Sequence, residues 1–168
     1  MKECLLIDGY NVIFNIPEFD TLDLAHARGR LADILANYAG LTDHRVILVF
    51  DAHRVAGGVG GKEWVNQVEV IYTAEGETAD NVIERLVGKL VGNCTVHVVT
   101  ADWTEQRMIW GQGAYRMHPR EFWARVSALR QDNKTYRKDR PADEYLENRL
   151  GVGTRKALEA WRNKKLCE

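Results

Sequence analysis

The sequence predicts an α/β fold, a three-layer sandwich with a central and mostly parallel sheet, followed by a helical, basic C-terminal tail. Short apolar runs without polar alternation, typical of strands buried on both faces, alternate with segments of helical period. Strands that alternate with helices form βαβ units that cover both faces of a sheet. The length of 168 residues suits about one domain with a substantial core.

The predicted strands are short and strongly apolar. They cover residues 4–7, 46–50, 68–72, 95–99 and, as an edge strand, 114–117. The first two contain no charged residue within the run, as expected where helices cover both faces of the sheet. These runs therefore predict a parallel sheet.

The predicted helices carry apolar residues three and four positions apart. They cover residues 21–40, 78–90, 104–110, 120–130, 143–150 and 154–165. Gly40 is a reasonable end for the first helix, and Pro119 suits the first turn of the fourth. Gly151 and Gly153 are expected to break the last two apart.

Two segments lack either period. Residues 54–62 are glycine-rich and predict a loop, which either closes over bound RNA or only connects two elements. Residues 131–141 are polar and basic and predict a linker. We therefore expect a domain over residues 1–130, and a basic linker with a helical extension over residues 131–168 that packs on or beside it.

Composition excludes several classes of protein. No apolar run approaches the ~20 residues that a bilayer span needs, so no membrane is expected as a partner. The three cysteines include no close pair, which excludes a disulfide framework. We expect reduced thiols and a cytoplasmic location, or an organellar stroma if the chain comes from a plastid.

The charge is divided unevenly along the chain. Residues 1–116 carry ten basic and sixteen acidic residues, a net charge of −6. Residues 117–168 carry thirteen basic and eight acidic residues, a net charge of +5. This division is consistent with solvated helices of mixed charge, or with a tail that binds a polyanion.

Aspartates follow three of the predicted strands, at Asp8, Asp51 and Asp102. Carboxyl ends of parallel strands meet at one edge of a sheet, where ligands bind. Asp80 begins a predicted helix and joins them if that helix returns from this edge. Converging carboxylates raise one another's pKa, and a hard divalent cation relieves their repulsion. The pattern predicts a Mg²⁺ or Mn²⁺ site suited to hydrolysis at phosphorus.

Each acid also has a purely structural interpretation. Asp8 could form a turn, Asp51 and Asp102 could cap a helix or loop, and Asp80 would favour the dipole of its helix. The shared edge of the predicted sheet is what favours the functional interpretation of all four.

Four short segments carry a resemblance to a known family. They are Leu-Ile-Asp-Gly-Tyr-Asn-Val-Ile at 6–13, Val-Phe-Asp at 49–51, Glu-Thr-Ala-Asp at 77–80 and Val-Val-Thr-Ala-Asp at 98–102. Together they resemble the NYN domain, a PIN-like nuclease fold, and most of all its YacP-type family. The resemblance runs from about residue 4 to about residue 130.

The resemblance implies an endoribonuclease that depends on Mg²⁺ or Mn²⁺ and leaves a 5′-phosphate and a 3′-hydroxyl. It implies these catalytic residues: Asp8, Asp51, Asp80, Asp102 and Asn11. Asp8, Asp80 and Asp102 are the expected direct metal ligands, and Asn11 could donate to a phosphate or orient a water. Two residues stay open as members of the site: Glu77 and Thr100.

RNA is the expected partner, and the resemblance extends this to mRNA and to the ribosome. The basic segment places positive charge around one aromatic ring, as single-strand binding requires. Its candidate residues are Lys134, Tyr136, Arg137, Lys138 and Arg140. Arg54 and Lys62 flank the glycine-rich loop and could meet phosphate. The alternative for the segment is a solvated linker.

Two other functions compete with a nuclease. One is a non-catalytic RNA-binding or ribosome-binding module, which has no need of clustered carboxylates facing RNA. The other is a small-molecule phosphohydrolase with an aspartyl-phosphate intermediate. The latter needs a second aspartate two residues after the first, where this chain has Tyr10. The oligomeric state stays open.

Overall fold

A computed structural model describes residues 3–51, 60–102 and 113–138 of the chain, the last five by their backbone only. Three helices predicted from the sequence, over residues 104–110, 143–150 and 154–165, lie outside the described residues. In the described part of the chain, no helix has the length and apolar character to cross a membrane.

The described residues contain six strands and four α-helices. The strands are β1 (Glu3–Asp8), β2 (Arg45–Phe50), β3 (Gly61–Val65), β4 (Val68–Tyr72), β5 (Thr95–Val99) and β6 (Tyr115–Met117). The helices are α1 (Gly9–Asn15), α2 (Leu24–Thr42), α3 (Ala79–Leu90) and α4 (Pro119–Lys138), with a short 3₁₀ helix at Pro17–Phe19. All five predicted strands are confirmed.

The strands form one sheet in the order β3-β4-β2-β1-β5-β6. Every pairing is parallel except that of β3 with β4, which is antiparallel. The strand order doubles back at β1, with β2 on one side and β5 on the other. Such a switch point is where α/β sheets open a crevice beyond the carboxyl ends of their strands.

Side chains alternate between the two faces of the sheet and build two core layers. Leu5 and Ile7 of β1 pack with α1, α2 and the first part of α4. Cys4 and Leu6 pack with α3 on the opposite face. The predicted three-layer α/β sandwich with a mostly parallel sheet is therefore confirmed.

Helix α1 follows β1 without any connecting residue, and the sequence pattern did not reveal it. Asp8 caps its first turn by accepting a hydrogen bond from the backbone N–H of Asn11. Seven residues form only two turns, which is too short for an apolar stripe of period 3.6 to be recognised.

The predicted end of the next helix at Gly40 is wrong. Helix α2 continues through Gly40 to Thr42, and it ends at Asp43, which has a left-handed backbone with φ of 55°. An exposed glycine lowers helix stability by at most about 1 kcal/mol, which the burial of the apolar face outweighs.

The glycine-rich loop is shorter than predicted, because β3 begins at Gly61. Its antiparallel pairing with β4 is closed by a tight turn at Asn66, whose φ is 53°. Left-handed backbone at asparagine is favoured in such hairpins. Most side chains of β3 are exposed, so this edge strand lacks the apolar run by which the other strands were found.

The predicted linker over residues 131–141 is wrong for its first part, since α4 extends to Lys138. Polar residues such as glutamine, lysine and arginine support a helix without an apolar stripe. Contacts divide the chain into two compact units, Met1–Arg130 and Gln131–Glu168. The packing of the second unit stays a prediction.

Candidate active site

Asp8 is a buried acid at the junction of β1 and α1, with 6% of its surface exposed. Its Oδ1 accepts a hydrogen bond from the Asn11 backbone N–H at 3.0 Å, and its Oδ2 accepts one from Asn11 Nδ2 at 2.6 Å. A carboxylate has about four acceptor positions. The two oxygens are therefore held in place and keep capacity for a further ligand.

Asn11 connects this junction to the end of β5. Its Nδ2 donates to Asp8, and its Oδ1 accepts a hydrogen bond from the Ala101 backbone N–H at 3.2 Å. One amide side chain thus joins two segments that lie ninety residues apart in the chain. Through Asn11, the Asp-Gly-Tyr-Asn sequence fixes the Asp8 carboxylate relative to the segment that contains Asp102.

Asp80 is the second predicted acid that the fold brings to Asp8. It lies in the first turn of α3, after the N-cap Thr78, whose Oγ1 accepts a hydrogen bond from the Asn81 N–H at 3.3 Å. Burial raises the pKa of Asp8, and repulsion from the Asp80 carboxylate adds to it, while the Asn11 hydrogen bonds oppose the rise. The structure therefore holds two acids in one electrostatic environment.

Alternation along the strands explains why these acids share a face. Leu6 of β1, Val49 of β2 and Val98 of β5 all belong to the core layer beneath α3. Two residues further along each strand lie Asp8, Asp51 and Thr100. Because side chains repeat every two residues, these positions continue toward the α3 face at the carboxyl edge of the sheet.

Asp51 and Asp102 lie at this same edge. Asp51 directly follows β2 and is half-buried, and Asp102 is exposed beyond the end of β5. The Asp102 backbone N–H donates to Thr100 Oγ1 at 3.0 Å. Thr100 is fully buried, and its own N–H donates to the Met117 carbonyl at 3.2 Å. Thr100 therefore fixes the backbone of Asp102.

The acids among the described residues do not form a complete cage for a metal. Among the residues described in 3–51, 60–102 and 113–138, no three His, Cys, Asp or Glu side chains lie close enough together to hold a metal ion. The pair Asp8 and Asp80 nevertheless fits Mg²⁺, which typically takes one or two carboxylates and keeps several waters. The wider ligand set that includes Asp102 stays a prediction.

Glu77 precedes the N-cap of α3 and contacts a partner on that helix. Its carboxylate forms an ion pair with Arg85 of α3. That contact gives Glu77 a structural role at the start of α3, and its membership of the acidic site stays open.

The close approach of β2 to the Asp8 junction requires a glycine. A Cβ atom built on Gly9 would lie 2.2 Å from Cε1 of Phe50. The Phe50 ring packs edge-on against Tyr10 at a centroid distance of 5.2 Å. Gly9 therefore lets α1 begin directly against the aromatic core, which sets the position of Asp8.

The predicted RNA-binding residues are only partly described. Lys62 lies on β3, and its Nζ donates to Glu69 at 3.1 Å. The backbone of Lys134, Tyr136, Arg137 and Lys138 lies in the last turns of α4. Arg54 and Arg140 lie outside the described residues. All seven stay predictions as RNA contacts.

Sequence reasoning missed Glu69, the partner of Lys62. Glu69 is 7% exposed on β4, and it also accepts a hydrogen bond from Arg45 Nη2 at 3.2 Å. Burial raises the pKa of Glu69, but hydrogen bonds from Lys62 and Arg45 outweigh burial and lower the pKa overall. The presence of a glutamate within an apolar strand indicated that it must have a charged partner. Which residues are its partners depends on the register of three strands.

Comparison with known proteins identifies the class. Residues 5–163 match the family described as YacP-like NYN domain. The Bacillus subtilis (strain 168) protein described as uncharacterized protein YacP is 40% identical over 168 residues, covering 95% of this chain and 96% of that protein. The fold and the matches define a PIN-like, ribonuclease-type domain.

Two crystal structures agree with this assignment. Rae1 (YacP) from Bacillus subtilis is 39% identical, with a TM-score of 0.73 over 97% of this chain and 96% of that one. A mutant of the same protein is 34% identical, with a TM-score of 0.71 over 95% of this chain and 99% of that one. The chain belongs to the YacP-like NYN domain family.

Proposed function

We propose that this chain is a metal-dependent endoribonuclease that hydrolyses RNA phosphodiester bonds. The observation that carries the proposal is the Asp8 carboxylate, buried at the switch point of the sheet, held by Asn11 and near enough to Asp80 for repulsion between the two carboxylates to raise the Asp8 pKa. A protein that only binds RNA gains nothing from two repelling acids at its ligand-binding edge, because phosphate is also negative.

The residues present suit Mg²⁺ or Mn²⁺. Asp8 and Asp80 would hold the ion, with Asp102 as a third ligand and Asp51 in direct or water-mediated contact. A bound divalent ion supplies an activated water and stabilises negative charge at phosphorus. Asn11 orients the Asp8 oxygens through its Nδ2, and Thr100 holds the Asp102 backbone.

Basic residues supply the attraction for RNA. Lys62 and Arg54 flank the glycine-rich loop in the sequence, and the 134–140 segment adds four positive charges around Tyr136. Positive charge that neutralises phosphates supplies affinity without reading sequence. Single-stranded RNA, with mRNA at the ribosome as the proposed physiological form, is the substrate class that this arrangement favours.

The second candidate function is a non-catalytic RNA-binding or ribosome-binding module. The observation in its favour is that the described acids include no group of three able to hold a metal. This candidate predicts RNA binding that needs no divalent ion and no cleavage under any condition.

Cleavage of RNA by the full chain separates the two. Wild type, Asp8→Asn and the control Asp33→Asn, which changes an exposed aspartate on α2, are incubated with RNA and Mg²⁺ or Mn²⁺, alone and with translating ribosomes. We expect wild type and the control to cleave and Asp8→Asn to lose at least about a hundredfold in rate, as when an essential group is removed. Equal cleavage by all three would refute the catalytic assignment. Absence of cleavage by wild type in every condition would favour the binding module.

A further inference from the structure

Trp64 is an exposed indole on the edge strand β3. It exposes 65% of its surface, more than any other large hydrophobic side chain in the described residues. Single exposed apolar residues are common and need no function by themselves. What distinguishes Trp64 is its position relative to the acids and to two cations.

The register of the sheet places Trp64 on the same face as the acidic site. Trp64 pairs with Glu69, and Lys62 pairs with Ile71, which belongs to the core layer beneath α3. Directly paired residues point to the same face, so Lys62 and Trp64 share the α3 face with Asp8.

The same register gives the distance to Asp8. Lys62 pairs with Ile71, Ile71 with Val49, and Val49 with Asp8, in one row across β3, β4, β2 and β1. Three strand spacings separate Lys62 from Asp8, or roughly 14 Å. Trp64 lies roughly 7 Å from Lys62 along β3, in the direction away from the carboxyl edge of the sheet. Helix α3 packs on β1, β2 and β5, so this row leads away from the helix toward the edge strand.

Charge along this row changes from negative to positive. Arg45 and Lys62 both bind Glu69, at 3.2 Å and 3.1 Å, and they leave one positive charge uncompensated by that carboxylate. Both cations keep more than half of their side chains exposed, 54% for Arg45 and 61% for Lys62. Asp8, which suits a metal, Lys62, which suits phosphate, and Trp64, whose ring suits a base, therefore follow one another across one face, while Arg45 lies at the amino end of β2, four residues before Val49.

We infer that Trp64 is a stacking subsite for an unpaired base of the RNA substrate, with Lys62 contacting the backbone between that base and the bond near Asp8. The inference rests on the proposed ribonuclease function and adds to it a binding subsite for the single-stranded RNA substrate. Aromatic side chains beside a basic groove hold single strands in a way that tolerates sequence, because every base presents a π-face.

The test compares binding by three variants, each in an Asp8→Asn background with Mg²⁺ so that cleavage does not intervene. Trp64→Ala removes the ring, Trp64→Phe keeps a stacking surface, and Tyr115→Ala is the matched control. Tyr115 is 60% exposed on the opposite edge strand β6, where it pairs with His97 and stacks on its ring. His97 in turn pairs with Leu5, so Tyr115 lies on the face of the sheet opposite α3. The probe is an end-labelled single-stranded oligoribonucleotide of about 12 nucleotides, within typical single-strand site sizes.

We expect Trp64→Ala to raise the Kd about five- to a hundredfold, the range for loss of one stacked base. Trp64→Phe keeps most of the affinity, Tyr115→Ala keeps all of it, and Kd for duplex RNA does not respond to Trp64. An unchanged Kd for Trp64→Ala, an equal loss for duplex RNA, or a change in oligomeric state by light scattering in place of a change in Kd would overturn the inference.

Cleavage by the chain with Asp8 intact separates this inference from the proposed function. If wild type cleaves no RNA but Trp64→Ala weakens binding, the nuclease proposal fails and the subsite stands. If wild type cleaves and Trp64→Ala changes neither Kd nor KM, the subsite fails and the nuclease proposal stands.

Discussion

At the scale of single residues, the Asp8 carboxyl group experiences burial and a neighbouring like charge together. Both raise its pKa, so the folded chain favours the protonated form. The stabilisation from this group is fully present below the ordinary carboxyl pKa and is lost as pH rises through the raised pKa. Asp8 is therefore a position where stability is given up for a charged site.

Asp8→Asn should remove this pH dependence. In the absence of divalent ions, we expect the free energy of unfolding of the variant, minus that of wild type, to increase as pH rises from about 4 to about 8. Urea titrations across that range with EDTA measure the difference. A difference that stays constant or decreases with pH would show that the Asp8 pKa is not raised by folding.

A divalent cation should reverse the penalty. Because an ion that binds only the folded chain stabilises it in proportion to its occupancy, Mg²⁺ or Mn²⁺ should raise the Tm of wild type and of Asp33→Asn, and leave that of Asp8→Asn unchanged. Thermal unfolding at increasing metal concentration is the measurement. Equal shifts in all three chains would place the bound ion elsewhere.

Gly9 should tolerate no side chain. Gly9→Ala places a Cβ at 2.2 Å from the Phe50 ring, and overpacking of this kind costs about 1–3 kcal/mol. Gly29→Ala is the control, because that α2 position has no atom within 4 Å of the added Cβ and should gain about 0.5–1 kcal/mol of helix propensity. Urea unfolding that ranks Gly9→Ala equal to or above wild type would contradict the packing described here.

At the scale of elements, the start of α3 fixes Asp80. Thr78→Ala removes the hydroxyl that accepts the Asn81 N–H, and loss of an N-cap costs about 1 kcal/mol. We expect reduced stability and slower RNA cleavage, both restored by Thr78→Ser. Urea unfolding and cleavage rates measure the two effects, and unchanged cleavage by a destabilised Thr78→Ala chain would mean that the cap does not position Asp80 for the reaction.

The sequence predicted those elements whose burial requires a recognisable pattern of apolar residues. β1 and β2 contain uninterrupted apolar runs, at residues 4–7 and 46–50, because helices cover both faces of the sheet. The missed elements lack such a pattern, since α1 has two turns and β3 exposes most of its side chains. The extension of α4 to Lys138 was missed because its last turns are polar.

At the scale of the whole molecule, topology made the site predictable while register did not. Parallel strands bring their carboxyl ends to one edge, and Asp80 joins Asp8 there because α3 begins at that edge. The Asn11 bond to Ala101 and the Arg45–Glu69–Lys62 cluster depend on which residues face each other across strands. A single sequence does not specify that register, because several pairings satisfy the same apolar pattern.

The division of charge along the chain gives a prediction at the same scale. Reversing Arg137 and Lys138 to Glu should weaken RNA binding and reduce the slope of log Kd against log salt by about 1.4, at ~0.7 for each lost contact with single-stranded phosphate. Reversing Arg30 and Lys89 to Glu gives the same net charge and should have a smaller effect. Equal effects of the two double replacements on RNA binding would show that the basic segment acts only through the net charge of the chain.

We propose that Asp8 and Asp80 act as one unit in RNA hydrolysis. The most direct test of this claim is the rate of metal-dependent RNA cleavage by wild type, Asp8→Asn, Asp80→Asn and the double variant. When two residues act as one unit, replacing either of them removes most of the rate that replacing both removes. We therefore predict that each single variant is nearly as inactive as the double variant. Wild-type cleavage by either single variant, or losses that simply multiply in the double variant, would contradict the claim.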